Sequence, residues 1–171
     1  AMQRFYFFFA IAEGRSLLLM KNPVYSAHIA RLITLWPKAR FIHVIRNPYT
    51  VFASTVHYYR RLLPSLALQD FRHVDIEALV LADYPRLMAR CEAGLAGLPS
   101  GQWIAVHYED LVKTPMSVLA EIHVALGLPG WAAAKPRMTA YLREISDYQA
   151  NEHRLDTATQ RRIEAAWGGY I

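Results

Sequence analysis

Cysteine is nearly absent: Cys91 is the only one in 171 residues. No disulfide can form within the chain, and no cysteine pair can ligate zinc. That usage fits a reducing compartment, and a cytoplasmic location is expected. No His, Cys or carboxylate cluster has metal-ligand spacing. Charge is also scarce, at 19% of residues against 54% apolar, which excludes a disordered, charge-solvated chain. Long apolar runs are missing. The most apolar stretch, Phe5 to Ala12 (FYFFFAIA), falls far short of the roughly 20 residues needed to span a bilayer. It lacks the basic lead and cleavage site of a secretory leader, so it reads as packing surface. An exposed Phe5 to Phe9 face would favour self-association. No repeat or low-complexity segment is present. The length suits one domain, residues 1–171.

Acidic residues are outnumbered, 14 against 19 Lys and Arg, for a net charge of +5. An anionic ligand or partner follows: nucleic acid, anionic lipid or a phosphorylated small molecule. The basic residues are scattered and carry no nucleic-acid-binding signature, so nucleic acid is not the expected partner.

Strand-like and helix-like segments alternate. Ser16 to Met20, Phe41 to Ile45 and Trp103 to His107 are short apolar runs of buried-strand length. Between them, Tyr25, Ile29, Leu32, Ile33 and Trp36 form a helical stripe ended by Pro37. A helix from Tyr49 to Leu63 has Asn47 as N-cap and Pro48 at its first position, and Pro64 should break it. A longer helix from Asp75 to Leu95 should kink or split at Pro85. Thr114-Pro115 opens a helix ended by Gly127 and Pro129, and another covers Lys135 to Arg143. The final helix starts near Thr157, where Thr157 and Gln160 match a capping box. The pattern predicts an α/β fold, a short parallel sheet flanked by helices.

The segment Pro37 to Thr55 (PKARFIHVIRNPYTVFAST) combines a strand, a tight turn and a helix start. Parallel sheets bind ligands at the carboxyl ends of their strands. Arg46 leaves the strand there, and the free N–H groups and dipole of the following helix would favour an anion. Asn47, Thr50, Val51 and Ser54 share one helix face. A guanidinium fork plus the Ser54 hydroxyl would suit one phosphate group. On local geometry alone, a surface arginine and a helix serine without ligand are an equal alternative.

Arg46-Asn47-Pro48 followed by Ser54 resembles the 3′-phosphate-binding motif of the PAPS-dependent sulfotransferases. Leu17 to Thr55 resembles the bacterial "sulfotransferase 3" type along its length. His107 to Pro129, with Tyr-Glu-Asp-Leu after a strand, resembles the family's second hallmark. Asp147 to Asp156 (DYQANEHRLD) resembles its C-terminal Tyr-x-x-Asn segment. The order is that of the family, and the match spans nearly the whole chain. It implies a partial P-loop-like three-layer fold and the C-terminal part of a sulfotransferase domain.

The resemblance also implies roles. Arg46 and Ser54 would bind the cofactor's 3′-phosphate. Lys21, in Lys-Asn-Pro, would be the catalytic lysine that stabilises charge near the bridging sulfate oxygen. Tyr108 would approach the adenine, and Ser146 and Asn151 would lie in a segment covering the nucleotide. Glu109 and Asp110 read as structural, ordering the turn. His28 is a weak candidate for a general base, because Pro23 stands where the cytosolic branch places the serine that precedes its histidine. The Arg-Lys-Gly triplet of that branch is absent.

The family also has a Gly/Ser/Thr-rich loop that cradles the 5′-phosphosulfate. Nothing before Lys21 resembles it, so the chain reads as a fragment that alone would not complete the reaction. The implied reaction is sulfuryl transfer from PAPS to a hydroxyl or amine, leaving 3′,5′-ADP. The acceptor could be a small molecule, carbohydrate or lipid. The alternative is a non-catalytic domain that binds a 3′-phosphonucleotide or a partner protein.

Overall fold

The computed structural model describes Tyr6, residues 17–146 and residues 154–171. A 3-10 turn, Pro23–His28, leads into helix α1, Ile29–Leu35. Strand β1, Phe41–Ile45, is followed by α2, Pro48–Leu66, and α3, Ile76–Ala96. Strand β2, Trp103–His107, leads into the short α4, Tyr108–Lys113, then α5, Pro115–Ala125. Helices α6, Trp131–Glu144, and α7, Thr157–Trp167, complete the order, with a last 3-10 turn at Gly168–Tyr170.

The two strands pair in parallel, from Phe41 opposite Trp103 to Ile45 opposite His107. Alternation of side chains gives the sheet two apolar faces. Ile42, Ile104 and Val106 pack against Val118, Ile122 and Leu126 of α5 and its C-terminal end. Phe41 and Trp103 pack the other way, against Ile29, Cys91 and Leu95 of α1 and α3. Helices therefore cover both faces, as an α/β fold requires. A third cluster, Phe52, Val56, Val80, Ile163 and Trp167, holds α2, α3 and α7 together. The apolar side chains read as core in the sequence are thus divided among three clusters, joined through the sheet and α3.

Both expected strands at 41–45 and 103–107 form with those bounds. The third, at Ser16 to Met20, does not: residues 17–20 are irregular, with Leu17 59% and Leu19 88% exposed. An apolar run becomes a strand only where a neighbour takes its backbone hydrogen bonds, and β1 pairs with β2 instead. The stripe from Tyr25 is split, with a 3-10 turn before the α-helix and Asn47-like capping by Asn22, whose side chain accepts from the Val24 N–H at 3.0 Å.

Proline is less disruptive than expected. Helix α2 runs through Pro64 to Leu66, and the Ala67 N–H closes its last turn on the Leu63 carbonyl at 2.9 Å. At that position the ring removes one hydrogen bond near a helix end and keeps a helical φ. Helix α3 is likewise one element across Pro85. The cap of α7 shifts by one residue: Asp156, not Thr157, accepts from the Thr159 N–H at 2.7 Å. A carboxylate caps as well as a hydroxyl and also meets the positive helix end. Helix α6 begins at Trp131, four residues before the expected start, after Gly130 at φ 82°. Among the described residues, no helix is long and apolar enough to cross a membrane.

Candidate functional site

The in-register pairing carries β1 and β2 to the same level, Ile45 beside His107. The next residues, Arg46-Asn47 and Tyr108-Glu109, therefore emerge side by side at the carboxyl edge of the sheet. The Arg46 guanidinium lies over the Tyr108 ring, 4.4 Å from its centroid. The Asn47 N–H donates to Glu109 Oε1 at 3.0 Å. Asn47 in turn caps α2, its Oδ1 accepting from the Tyr49 N–H at 3.0 Å and the Thr50 N–H at 3.3 Å. The expected cap and the expected Pro48 start are both present.

One expectation needs correction. The backbone N–H groups at the start of α2 are not free for an anion. Asn47 donates to Glu109, Pro48 has no N–H, and Tyr49 and Thr50 donate to the Asn47 side chain. The Val51 N–H already bonds the Asn47 carbonyl at 3.0 Å. An anion here must be held by side chains and by the helix dipole. Arg46 supplies the charge. Thr50 and the half-buried Ser54 follow at four-residue spacing, which puts them on one face of α2 a turn apart.

The Asn47 N–H holds the Glu109 carboxyl below its ordinary range, with smaller help from the charges of His107 and Arg46, against the opposing effect of burial. Glu109 is therefore ionised across the neutral range. Glu109 orders a turn, as expected, but the turn is the one after β1. Tyr108 opens α4 directly after β2, its backbone already helical.

The other expected site residues lie elsewhere. Lys21 is exposed and lines a cavity of about 190 Å³ with Tyr6, Leu18, Asn22 and Tyr25. Among the described residues, no hydrogen bond or ion pair joins it to Arg46. Ser146 is exposed just past α6, its N–H facing the Arg143 carbonyl at 3.4 Å. Asn151 and the Phe5 to Phe9 face, apart from Tyr6, fall outside the described residues. His28 is exposed at the end of its 3-10 turn. No group of metal-ligating side chains occurs among the described residues.

The family model described as "Sulfotransferase family" matches residues 1–133, which include the Arg46 turn and the Tyr108 turn. The chain belongs to the sulfotransferase family. The omega-hydroxy-beta-dihydromenaquinone-9 sulfotransferase Stf3 of Mycobacterium bovis is 29% identical over 157 residues, 92% of this chain and 40% of that protein. Its counterpart in Mycobacterium tuberculosis matches equally. The chain thus spans 40% of the length of these curated relatives. The crystal structure of sulfotransferase STF9 from Mycobacterium avium superposes with a TM-score of 0.69, at 20% identity over 88% of this chain and 40% of that one. The sulfotransferase domain of the curacin biosynthetic pathway gives 0.59, at 21% identity over 95% of this chain and 66% of that one. The fold is the partial P-loop-like α/β fold of those sulfotransferases.

Proposed function

We propose that the protein containing this chain transfers a sulfuryl group from PAPS to a hydroxyl or amine, and that this chain holds the 3′-phosphate side of the nucleotide. The observation that carries the reading is the Arg46 guanidinium, fixed on Tyr108 at the carboxyl edge of a parallel sheet in a sulfotransferase chain. The donor set fits a phosphate: a planar cation with a fork of N–H groups, and two hydroxyls at helical spacing beyond it. PAPS bound there would supply the sulfuryl group, and 3′,5′-ADP would remain after transfer.

Arg46 anchors the 3′-phosphate and sets the register of the nucleotide. Ser54 adds a hydroxyl donor, Tyr108 supports the guanidinium and would border the base, and the family resemblance assigns Ser146 and Asn151 to the segment that would cover the nucleotide. Lys21 would meet charge developing on the bridging oxygen as the sulfur leaves it for the acceptor. In that transfer the acceptor oxygen or nitrogen would form its bond to sulfur as the old S–O bond breaks, the acceptor proton passing to solvent and the electron pair of the broken bond leaving on 3′,5′-ADP. The name of the mycobacterial relative gives a menaquinone derivative bearing an omega-hydroxy group, which supports a small-molecule or lipid alcohol here. A cytoplasmic setting is consistent with the single, unpaired Cys91.

Calorimetry of the chain with 3′,5′-ADP and with 5′-AMP tests the site. Tighter binding of 3′,5′-ADP is expected, and Arg46→Ala should remove that preference. Equal affinities for the two nucleotides in the parent chain would refute the anion site. Sulfuryl transfer from PAPS by the protein containing this chain separates an enzyme from a binding domain.

A further inference from the structure

Two adjacent residues of α4 grip two adjacent residues at the start of α2. Tyr108 supports the Arg46 side chain, and Glu109 holds the backbone of the next residue, Asn47. The pairs lie 62 positions apart in sequence, and the parallel register brings them together. A free arginine side chain samples many rotamers, and a phosphate would otherwise have to remove that freedom on binding. Here the guanidinium is already placed on a ring, and the turn from which it projects is already tied down.

A carboxylate is an unexpected partner at this spot. Its charge opposes an anion bound at Arg46, and a neutral acceptor could have capped the Asn47 N–H without that penalty. The carboxylate is, however, the stronger acceptor, since a hydrogen bond to a charged group is about twice as strong as a neutral one. It also occupies the N–H that an anion would otherwise take at the turn, leaving Arg46 as the place where charge is met.

We propose that Glu109 is a positioning residue for the 3′-phosphate: it does not touch the ligand, but by holding the Asn47 amide it fixes the turn from which Arg46 reaches the phosphate, with Tyr108 completing the clasp. This rests on the reading of Arg46 as the phosphate anchor. Glu109 therefore contributes to 3′-phosphate recognition and not to recognition of the base.

The test is the affinity ratio of 3′,5′-ADP to 5′-AMP, measured by calorimetry on the whole chain and its variants, with thermal midpoints recorded for each. Glu109→Ala should lower the ratio about tenfold, the effect of losing a hydrogen bond to a charged group. Glu109→Gln, which can still accept from Asn47, should recover it to within about threefold. Tyr108→Leu should also lower the ratio, whereas a tyrosine that only met the base would weaken both nucleotides alike and leave the ratio unchanged. A ratio unaltered by both Glu109→Ala and Tyr108→Leu overturns the proposal while leaving Arg46 in place. Equal losses in Glu109→Ala and Glu109→Gln overturn it too, since keeping an acceptor for the Asn47 N–H would then make no difference, and equal gains would mean that only the charge of Glu109 is felt. If Glu109→Ala does not fold, the Gln and Leu variants decide the matter by the same ratio. A parent ratio of one would instead refute the anion site itself, and the clasp's role with it.

Discussion

The Trp167 indole N–H donates to the Leu81 carbonyl at 3.0 Å. Leu81 lies four residues before Pro85, inside α3. In an uninterrupted helix the N–H of residue 85 would bond that carbonyl, and proline has none. The indole from α7 thus supplies the donor that the proline withholds. The same ring is fully buried, stacks on Tyr84 at 4.0 Å and meets Phe52 edge-on at 5.8 Å. One side chain therefore repairs α3 and anchors the C-terminal helix to the α2–α3 pair.

Trp167→Phe should destabilise the chain by about 2 kcal/mol or more, because it removes the donor and some buried ring volume. In a Pro85→Ala background, the restored N–H can bond Leu81, and the same replacement should cost about 1 kcal/mol less. Urea unfolding of the four proteins gives the coupling. Strict additivity would mean that the indole does not substitute for the missing amide.

Much of this arrangement could be read from the sequence, and the part that could not has a common cause. The strands at 41–45 and 103–107 carried local signals: β-branched and aromatic residues closed by turn formers. The Asn47 cap and Pro48 start were local as well. Leu17 to Met20 carried the same apolar signal and yet forms no strand, because strand formation depends on a partner that no local pattern names. Pro64 does not break its helix and Pro85 does not split its own, because the cost of a proline depends on where in the helix it lies and on what else can satisfy the orphaned carbonyl. For Pro85 that donor is the Trp167 indole, 86 residues beyond the Leu81 carbonyl it satisfies. The clasp at Arg46 was hidden for the same reason. One signal could have exposed it: both motifs begin immediately after a strand of equal length, so parallel pairing in register must set Arg46 beside Tyr108 and Asn47 beside Glu109.

At Gly94, α3 comes close to Ile29 at the start of α1. A Cβ there would lie 2.8 Å from the Ile29 Cβ and 3.3 Å from its Cγ2. Ile29 is 4% exposed, and its Cβ cannot move without its backbone. Glycine to alanine inside a helix ordinarily gains about 1 kcal/mol. Here the clash should reverse the sign, so that Gly94→Ala costs about 1–3 kcal/mol. Gly97→Ala is the control, since its Cβ would meet nothing closer than 3.7 Å. Thermal midpoints should fall for the first and hold or rise for the second.

His43 points from β1 toward Cys91, with Nδ1 3.7 Å from the Sγ. Burial lowers the pKa of His43 below its usual 6.5, partly offset by the Glu92 charge. The unfolded chain therefore takes up this proton at a higher pH than the folded chain does. Stability from this source is complete above about pH 6.5 and declines as pH falls below it. Depressed carboxyls such as Glu109 act in the same direction but lower, below their ordinary 4.5. Thermal midpoints should thus drop as pH falls below about 6.5, and His43→Gln should flatten that fall. A slope unchanged in the variant would assign the proton to another histidine.

Arg46→Lys separates charge from shape at the anion site. Lysine keeps the positive charge but presents a strongly hydrated ammonium instead of a planar fork, and it stacks less well on an aromatic face. The guanidinium lies 4.4 Å from the Tyr108 centroid, so the replacement forfeits that contact together with two-point binding of phosphate. The 3′,5′-ADP affinity of Arg46→Lys should fall about tenfold, while some preference over 5′-AMP survives. Arg46→Ala should lose the preference altogether, because the backbone N–H groups of the turn are already bonded to Glu109 and Asn47 and cannot take over. Affinity in the lysine variant should also depend more steeply on salt, since it rests on charge without directed hydrogen bonds. A lysine variant equal to the parent at every ionic strength would mean that the site reads charge alone and that the support from Tyr108 adds nothing to binding.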